Sequence, residues 1–136
     1  MAYRMFMVVV PEGRGAEGKS KWVNAKGNAE CVEFVRQATG APATATWKPG
    51  VRVKDAAPGS IPAYTAIATF DESGRYPADA LGRHAAVYLS HDSSGIRVLD
   101  QWNSQGEVKP RTIFFGKPEG TRRSNVGEVF YVVERG

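Results

Sequence analysis

Asn28-Ala29-Glu30-Cys31-Val32-Glu33-Phe34-Val35-Arg36-Gln37-Ala38-Thr39-Gly40 is the stretch whose reading decides the fold. Asn28 is a good N-cap, the ten residues after it have strong helix propensity, and Gly40 followed by Pro42 supplies the stop. Glu30 and Glu33 in the first turns and Arg36 near the end agree with the helix dipole. Cys31, Phe34, Val35 and Ala38 recur at i, i+3, i+4 and i+7, so they form one inward-facing stripe. The sequence therefore predicts a helix that carries its cysteine in the first turn, on the side that meets the rest of the protein.

On the N-terminal side, 5–10 (MFMVVV) reads as a short strand or packed arm, and 11–27 as a surface loop anchored by Trp22. On the C-terminal side, 43–60 is small, polar and broken by Pro and Gly, with Trp47 as its anchor. Beyond it the pattern turns to β. Strands are expected at 64–70, 84–89, 96–102, 111–115 and 128–133, with His91-Asp92-Ser93-Ser94-Gly95 turning the second into the third. One early helix followed by a run of antiparallel strands is an α+β fold, with the cysteine-bearing helix packed on a sheet of about five to six strands.

The length of 136 residues suits a single domain spanning 1–136. With 42% hydrophobic and 24% charged residues, the composition excludes collagen, coiled coil and wholesale disorder. One cysteine excludes an internal disulfide and a Cys-based zinc cage, and two histidines leave little for a His-rich metal site. No cofactor is expected, because neither a Walker-type nor a dinucleotide glycine fingerprint is present. The longest apolar run, 5–10, is far short of the roughly 20 residues of a membrane span and lacks the flanks of a signal peptide. A formal charge of +4 suits a polyanionic partner, but the basic residues are scattered, with Arg122-Arg123 the densest cluster. Arg97, Lys109, Arg111, Lys117, Arg122 and Arg123 read as solvated faces rather than a phosphate track, so nucleic acid is not the expected partner.

Three residues carry chemistry. A thiol at a helix N-terminus feels the positive end of the dipole and unpaired N–H groups, both of which favour the nucleophilic thiolate. A lone cysteine on an apolar stripe also serves as a small buried hydrophobe. His84 opens a strand and is followed by Ala85 and Ala86, which leave room beside the ring. His91 lies in the expected turn and reads as solvated. Asp100-Gln101 ends the strand that returns beside His84, where an acceptor can take the imidazole N–H and fix its tautomer. Neighbouring residues point to opposite faces, so one of the two fills this role: Asp100 by its charge, or Gln101 if a bulge intervenes.

Cysteine at a helix start, histidine on a strand and an acceptor on the paired strand, in that order, resemble the papain-fold cysteine hydrolases. Residues 29–35, 66–70, 82–89 and 96–102 look like the compact NlpC-like and CHAP amidase/peptidase domains. The Cys31-Val32 helix, its Thr39-Gly40-Ala41-Pro42 exit and the Asp100-Gln101-Trp102 strand end resemble a small bacterial subfamily of single-domain proteins without a signal peptide. The resemblance implies a papain-like core and a Cys31–His84–Asp100 triad that cleaves amide bonds of peptidoglycan stem peptides through an acyl-enzyme. Cys31 would be the nucleophile, His84 the base and then acid, and Asp100 the orienting group, with the oxyanion at the Cys31 backbone N–H and a second, unplaced donor. It also implies synthesis in the cytoplasm, signal-independent export to the periplasm or cell wall as a delivered toxin or lysis enzyme, and a cognate inhibitor (immunity) protein. Two departures stand out: Glu30 replaces the usual Gln, and the loop at 71–82 is long. A carboxylate at Glu30 opposes thiolate formation if it points inward.

Trp22, Trp47 and Trp102 suit either core anchors or the lining of a glycopeptide groove. Arg75 and Tyr76, in the loop before His84, stand where substrate is gripped or where a loop is simply solvated. The alternative to an enzyme is a catalytically inactive cell-wall or protein-binding module on the same fold. It would give Cys31 ordinary thiol reactivity.

Overall fold

The computed structural model describes residues 31–77, 82–101 and 109–135, so the expected strand at 5–10, the loop with Trp22, Asn28, Glu30 and Trp102 lie outside the described residues. Helix α1 spans Cys31–Thr39. It ends where Gly40 takes φ +76°, a left-handed conformation that costs glycine nothing, and the Gly40 N–H bonds back to the Arg36 carbonyl at 2.9 Å. Strands β1 (Trp47–Arg52), β2 (Thr65–Thr69), β3 (Ala85–His91), β4 (Gly95–Asp100), β5 (Lys109–Phe114) and β6 (Phe130–Arg135) follow. They pair antiparallel in the order β1-β6-β2-β3-β4-β5. No helix of the described residues is long and apolar enough to cross a membrane.

Two of these elements correct the sequence reading. The segment 43–60 was expected to be loop, yet it contains β1, followed by a single turn of 3-10 helix at Val53–Asp55. Pro49 and Gly50 hide the strand in the sequence; an edge position tolerates both, and β1 is an edge whose pairing with β6 shifts register between Pro49 and Arg52. The second correction is His91. It is the last residue of β3 and buried at 7% exposure, not a solvated turn residue. The Tyr88 hydroxyl lies 2.6 Å from its Nδ1, and its Nε2 lies 2.8 Å from the Ala56 carbonyl. The turn itself falls on Asp92, whose side chain accepts the N–H groups of Ser94 and Gly95.

Both faces of the sheet are covered. On one, Phe34 and Val35 of α1 pack with Trp47, Ala66, Ala68, Ala85, Val87 and Leu99. On the other, Val53 and Ile61 cover Ile67, Ala86, Tyr88, Ile96, Val98, Ile113 and Phe130. This explains why β2 is buried at every position, as central strands covered on both sides are. The helix-facing side carries Ala66 and Ala68 on β2 and Ala85 at the start of β3, and such small side chains let α1 lie close to the sheet there.

Candidate active site

The site forms where α1 begins, β3 begins and β4 ends. Its backbone is fixed by Thr69, whose hydroxyl donates to the Gly82 carbonyl at 2.7 Å and accepts the His84 N–H at 3.0 Å. The Arg123 guanidinium lies directly over Gly82, so a side chain there would have to displace it. Register places the side chains. Val87 pairs with Leu99, so one step further Asp100 comes opposite Ala86, and His84 is its diagonal neighbour on the same face. His84 Nε2 and Asp100 Oδ2 are 2.7 Å apart, with both residues buried. The register shift in β3 falls between Tyr88 and Ser90, toward the hairpin and away from the site. Asp100 therefore keeps the position facing the imidazole, while Gln101, equally buried, belongs to the opposite alternation.

Cys31 reaches the same point from the helix side and is half-buried. The His84 imidazole and the Ala85 backbone N–H both act on the sulfur to favour its ionised form. With Nε2 committed to Asp100, Nδ1 is the nitrogen left for the sulfur. The Tyr76 hydroxyl stands 3.9 Å from Sγ. Tyr76 is brought there by a tight turn in which Asp71 accepts hydrogen bonds from Ser73 and from the Arg75 N–H, and Trp47 braces it in an edge-on ring contact at 5.3 Å.

The electrostatics favour a charge-separated pair. Burial pushes the Cys31 thiol up, but the hydrogen bond and positive charge of His84, with smaller help from the Ala85 N–H and Tyr76, outweigh it, and the net shift is downward. Burial pushes His84 down, yet its hydrogen bonds to Asp100 and Cys31 outweigh this and raise it to about 9. Thiolate and imidazolium stabilise each other, so the two titrate as a pair.

Arg111 is the residue that sequence reasoning missed. It was read as part of a solvated face, but its Nε donates to Asp100 Oδ2 at 2.7 Å. The signal was present in the alternation: Arg111 shares parity with the buried Ile113 and stands opposite Val98 in register. It therefore points to the same face as Asp100.

A cysteine poised toward thiolate, beside a histidine that is held by a buried aspartate, is the equipment of a thiol-dependent hydrolase. The sequence profile described as "Domesticated amidase effector 2" matches residues 7–133. The chain belongs to this amidase family. It is 39% identical over 120 residues to the domesticated amidase effector 2 of Ixodes scapularis, covering 85% of this chain and 78% of the relative. It is 35% identical over 116 residues to a type VI secretion amidase effector 2 protein of Salmonella typhi, covering 77% of this chain and 84% of that one. Among solved structures, a type 6 secretion amidase effector 2 superposes with a TM-score of 0.77 at 29% identity, over 93% of this chain and 94% of that one.

Proposed function

We propose that this amidase is a single papain-like domain that cleaves amide bonds of bacterial peptidoglycan stem peptides through a Cys31–His84–Asp100 triad. The observation that carries the reading is the buried His84 imidazole, whose Nε2 lies 2.7 Å from the Asp100 carboxylate and whose ring draws the half-buried Cys31 thiol toward thiolate. The Cys31 thiolate adds to the substrate carbonyl carbon, and the carbonyl oxygen becomes an oxyanion. That oxyanion lies against the Cys31 N–H at the helix start and a second donor. His84 gives its proton to the leaving amine as the C–N bond breaks, which leaves a thioester on Cys31. Water then attacks the thioester while the neutral imidazole takes its proton, and collapse of the second tetrahedral species restores thiolate and imidazolium. Asp100 fixes the ring's tautomer and stabilises its charged form throughout.

The name of the Salmonella relative, a type VI secretion amidase effector, supports a delivered effector, here taken to act as a toxin in the periplasm or cell wall. A lysis enzyme would use the same chemistry. A delivered toxin of this kind needs a cognate immunity protein in the producing cell. The test is digestion of purified peptidoglycan by the intact protein, Cys31→Ala and His84→Ala, with new amine termini counted. The intact protein alone should release them, and equal release from all three would end the hydrolase reading in favour of a binding module on the same fold.

A further inference from the structure

Asp100 Oδ2 is shared. It lies 2.7 Å from His84 Nε2 and also 2.7 Å from Arg111 Nε. Arg111 is not a loose surface side chain. It is 24% exposed against 0% for Asp100, and its other nitrogens are held by Asn125 Oδ1 at 3.0 Å and the Ser124 carbonyl at 3.4 Å. Its Nη2 also approaches His84 Nε2 at 3.3 Å. Because the Nε2 proton points to the carboxylate, that approach sets a cation against the imidazole rather than forming a donor–acceptor bond.

We propose that Arg111 is a positioning residue of this site: its guanidinium locks the Asp100 carboxylate in the orientation that holds His84, and its fixed positive charge restrains how strongly the imidazole keeps its proton. The inference rests on the triad reading above. An arginine suits the first task because its planar fork spans Oδ2, Asn125 and the Ser124 carbonyl at once, which an ammonium does not. The second task follows from sign. Asp100 and the Cys31 thiolate favour imidazolium, and Arg111 opposes it from the β5 side. The Tyr76 hydroxyl stands 3.9 Å from the sulfur, and Arg123 lies over Gly82, two residues before His84. With Arg111 in place, His84 holds its proton firmly enough to pair with the thiolate and still releases it to a leaving amine.

The test is the titration of the His84 ring followed by NMR in substrate-free protein, alongside kcat and KM on peptidoglycan fragments. Arg111→Met should move the His84 titration up by about half to one pH unit, from loss of a like charge within about 4 Å. It should also lower kcat about tenfold with KM changed less than twofold. Arg111→Lys keeps the charge and should return the titration to its original position while recovering only part of kcat. If Met does not fold, Arg111→Gln, polar but uncharged, should give the same upward shift. An unmoved His84 titration in a folded uncharged variant overturns the proposal, as does a purely structural pattern of lowered Tm with wild-type kcat. Absence of hydrolysis by the wild-type protein would instead strike the triad reading, because the titration needs no turnover.

Discussion

Strand β3 is flanked by two histidines, His84 immediately before it and His91 at its end, and the pair sets the proposed reactive site beside a structural one. Both rings are buried and both engage two partners. The difference is the kind of partner. His91 sits between a hydroxyl and a carbonyl: the carbonyl only accepts, so Nε2 carries the proton and Nδ1 takes the Tyr88 hydroxyl hydrogen. His84 sits between a carboxylate and a thiol, with an arginine alongside. Two of those partners gain when the ring is charged, and one resists. Burial and satisfied hydrogen bonds thus do not mark a functional histidine in this fold. Ionisable partners around the ring are what single out His84 as the candidate.

Removing the sulfur or the ring at the β3 start should have the largest effect. Cys31→Ala and His84→Ala are each expected to lower kcat by about four orders of magnitude or more, and the double variant to be little worse than either, because a nucleophile and its base act as one unit. His91→Phe, measured in the same peptidoglycan assay, should stay within about twofold of wild type. A folded His91→Phe as inactive as His84→Ala would break the comparison.

Asp100→Asn sharpens it by changing charge and little else. A charge-assisted hydrogen bond is worth about 1.5–3 kcal/mol, so kcat should fall roughly 10- to 100-fold. The isosteric amide still accepts a hydrogen bond but no longer favours imidazolium, so the basic limb of the pH–rate profile should move down by about one unit. An unshifted limb would mean that the carboxylate only packs.

The pH profile of the wild type follows from the same pair. On the proposed mechanism the active form is thiolate with imidazolium, so activity should rise as Cys31 ionises below its ordinary value and fall as His84 loses its proton near about 9. Stability follows by linkage. His84 is raised, so its contribution is complete below the unfolded value of 6.5 and is lost as pH rises through about 9. Cys31 is lowered, so its contribution is present above its unfolded value of 9.0 and is lost as pH falls through the folded one. Iodoacetamide labelling is a direct readout of the acid limb, since the chain has one cysteine. A labelling rate that rises only around the free-thiol value of about 8.5 would contradict the pairing.

The sequence made the sheet legible wherever strands are central and apolar. β2 lies inside the expected 64–70, and β3 and β4 differ from expectation by one or two residues at each end. It failed at β1, where Trp47-Lys48-Pro49-Gly50-Val51-Arg52 carries turn residues that an edge strand can absorb. The nucleophile and base candidates were legible because a capped helix and a strand start are local features. Asp100 needed the hairpin, which its turn residues disclose. The Thr69 brace was not legible, because it depends on pairing between strands; Arg111 was passed over, despite its alternation with Ile113, because a charged residue in an edge strand most often faces water. His91 was misread because local turn chemistry at Asp92-Ser93-Ser94 was extended one residue too far.

His91→Phe, silent in the assay, should register in stability. A phenyl ring fills the space but leaves the Tyr88 hydroxyl and the Ala56 carbonyl without their partner. An unsatisfied buried group costs about 1–3 kcal/mol, so Tm should drop by several degrees. The loss should be independent of any at His84. Seven strand steps of about 3.4 Å put the two residues roughly 24 Å apart along the strand, a separation at which substitutions add. The double variant His84→Ala/His91→Phe should therefore show the sum of the two stability changes, and His91→Phe alone should keep the wild-type pH–rate profile. Non-additivity would mean that β3 transmits strain between its ends, and the two histidines would then be one coupled system rather than a reactive group and a rivet.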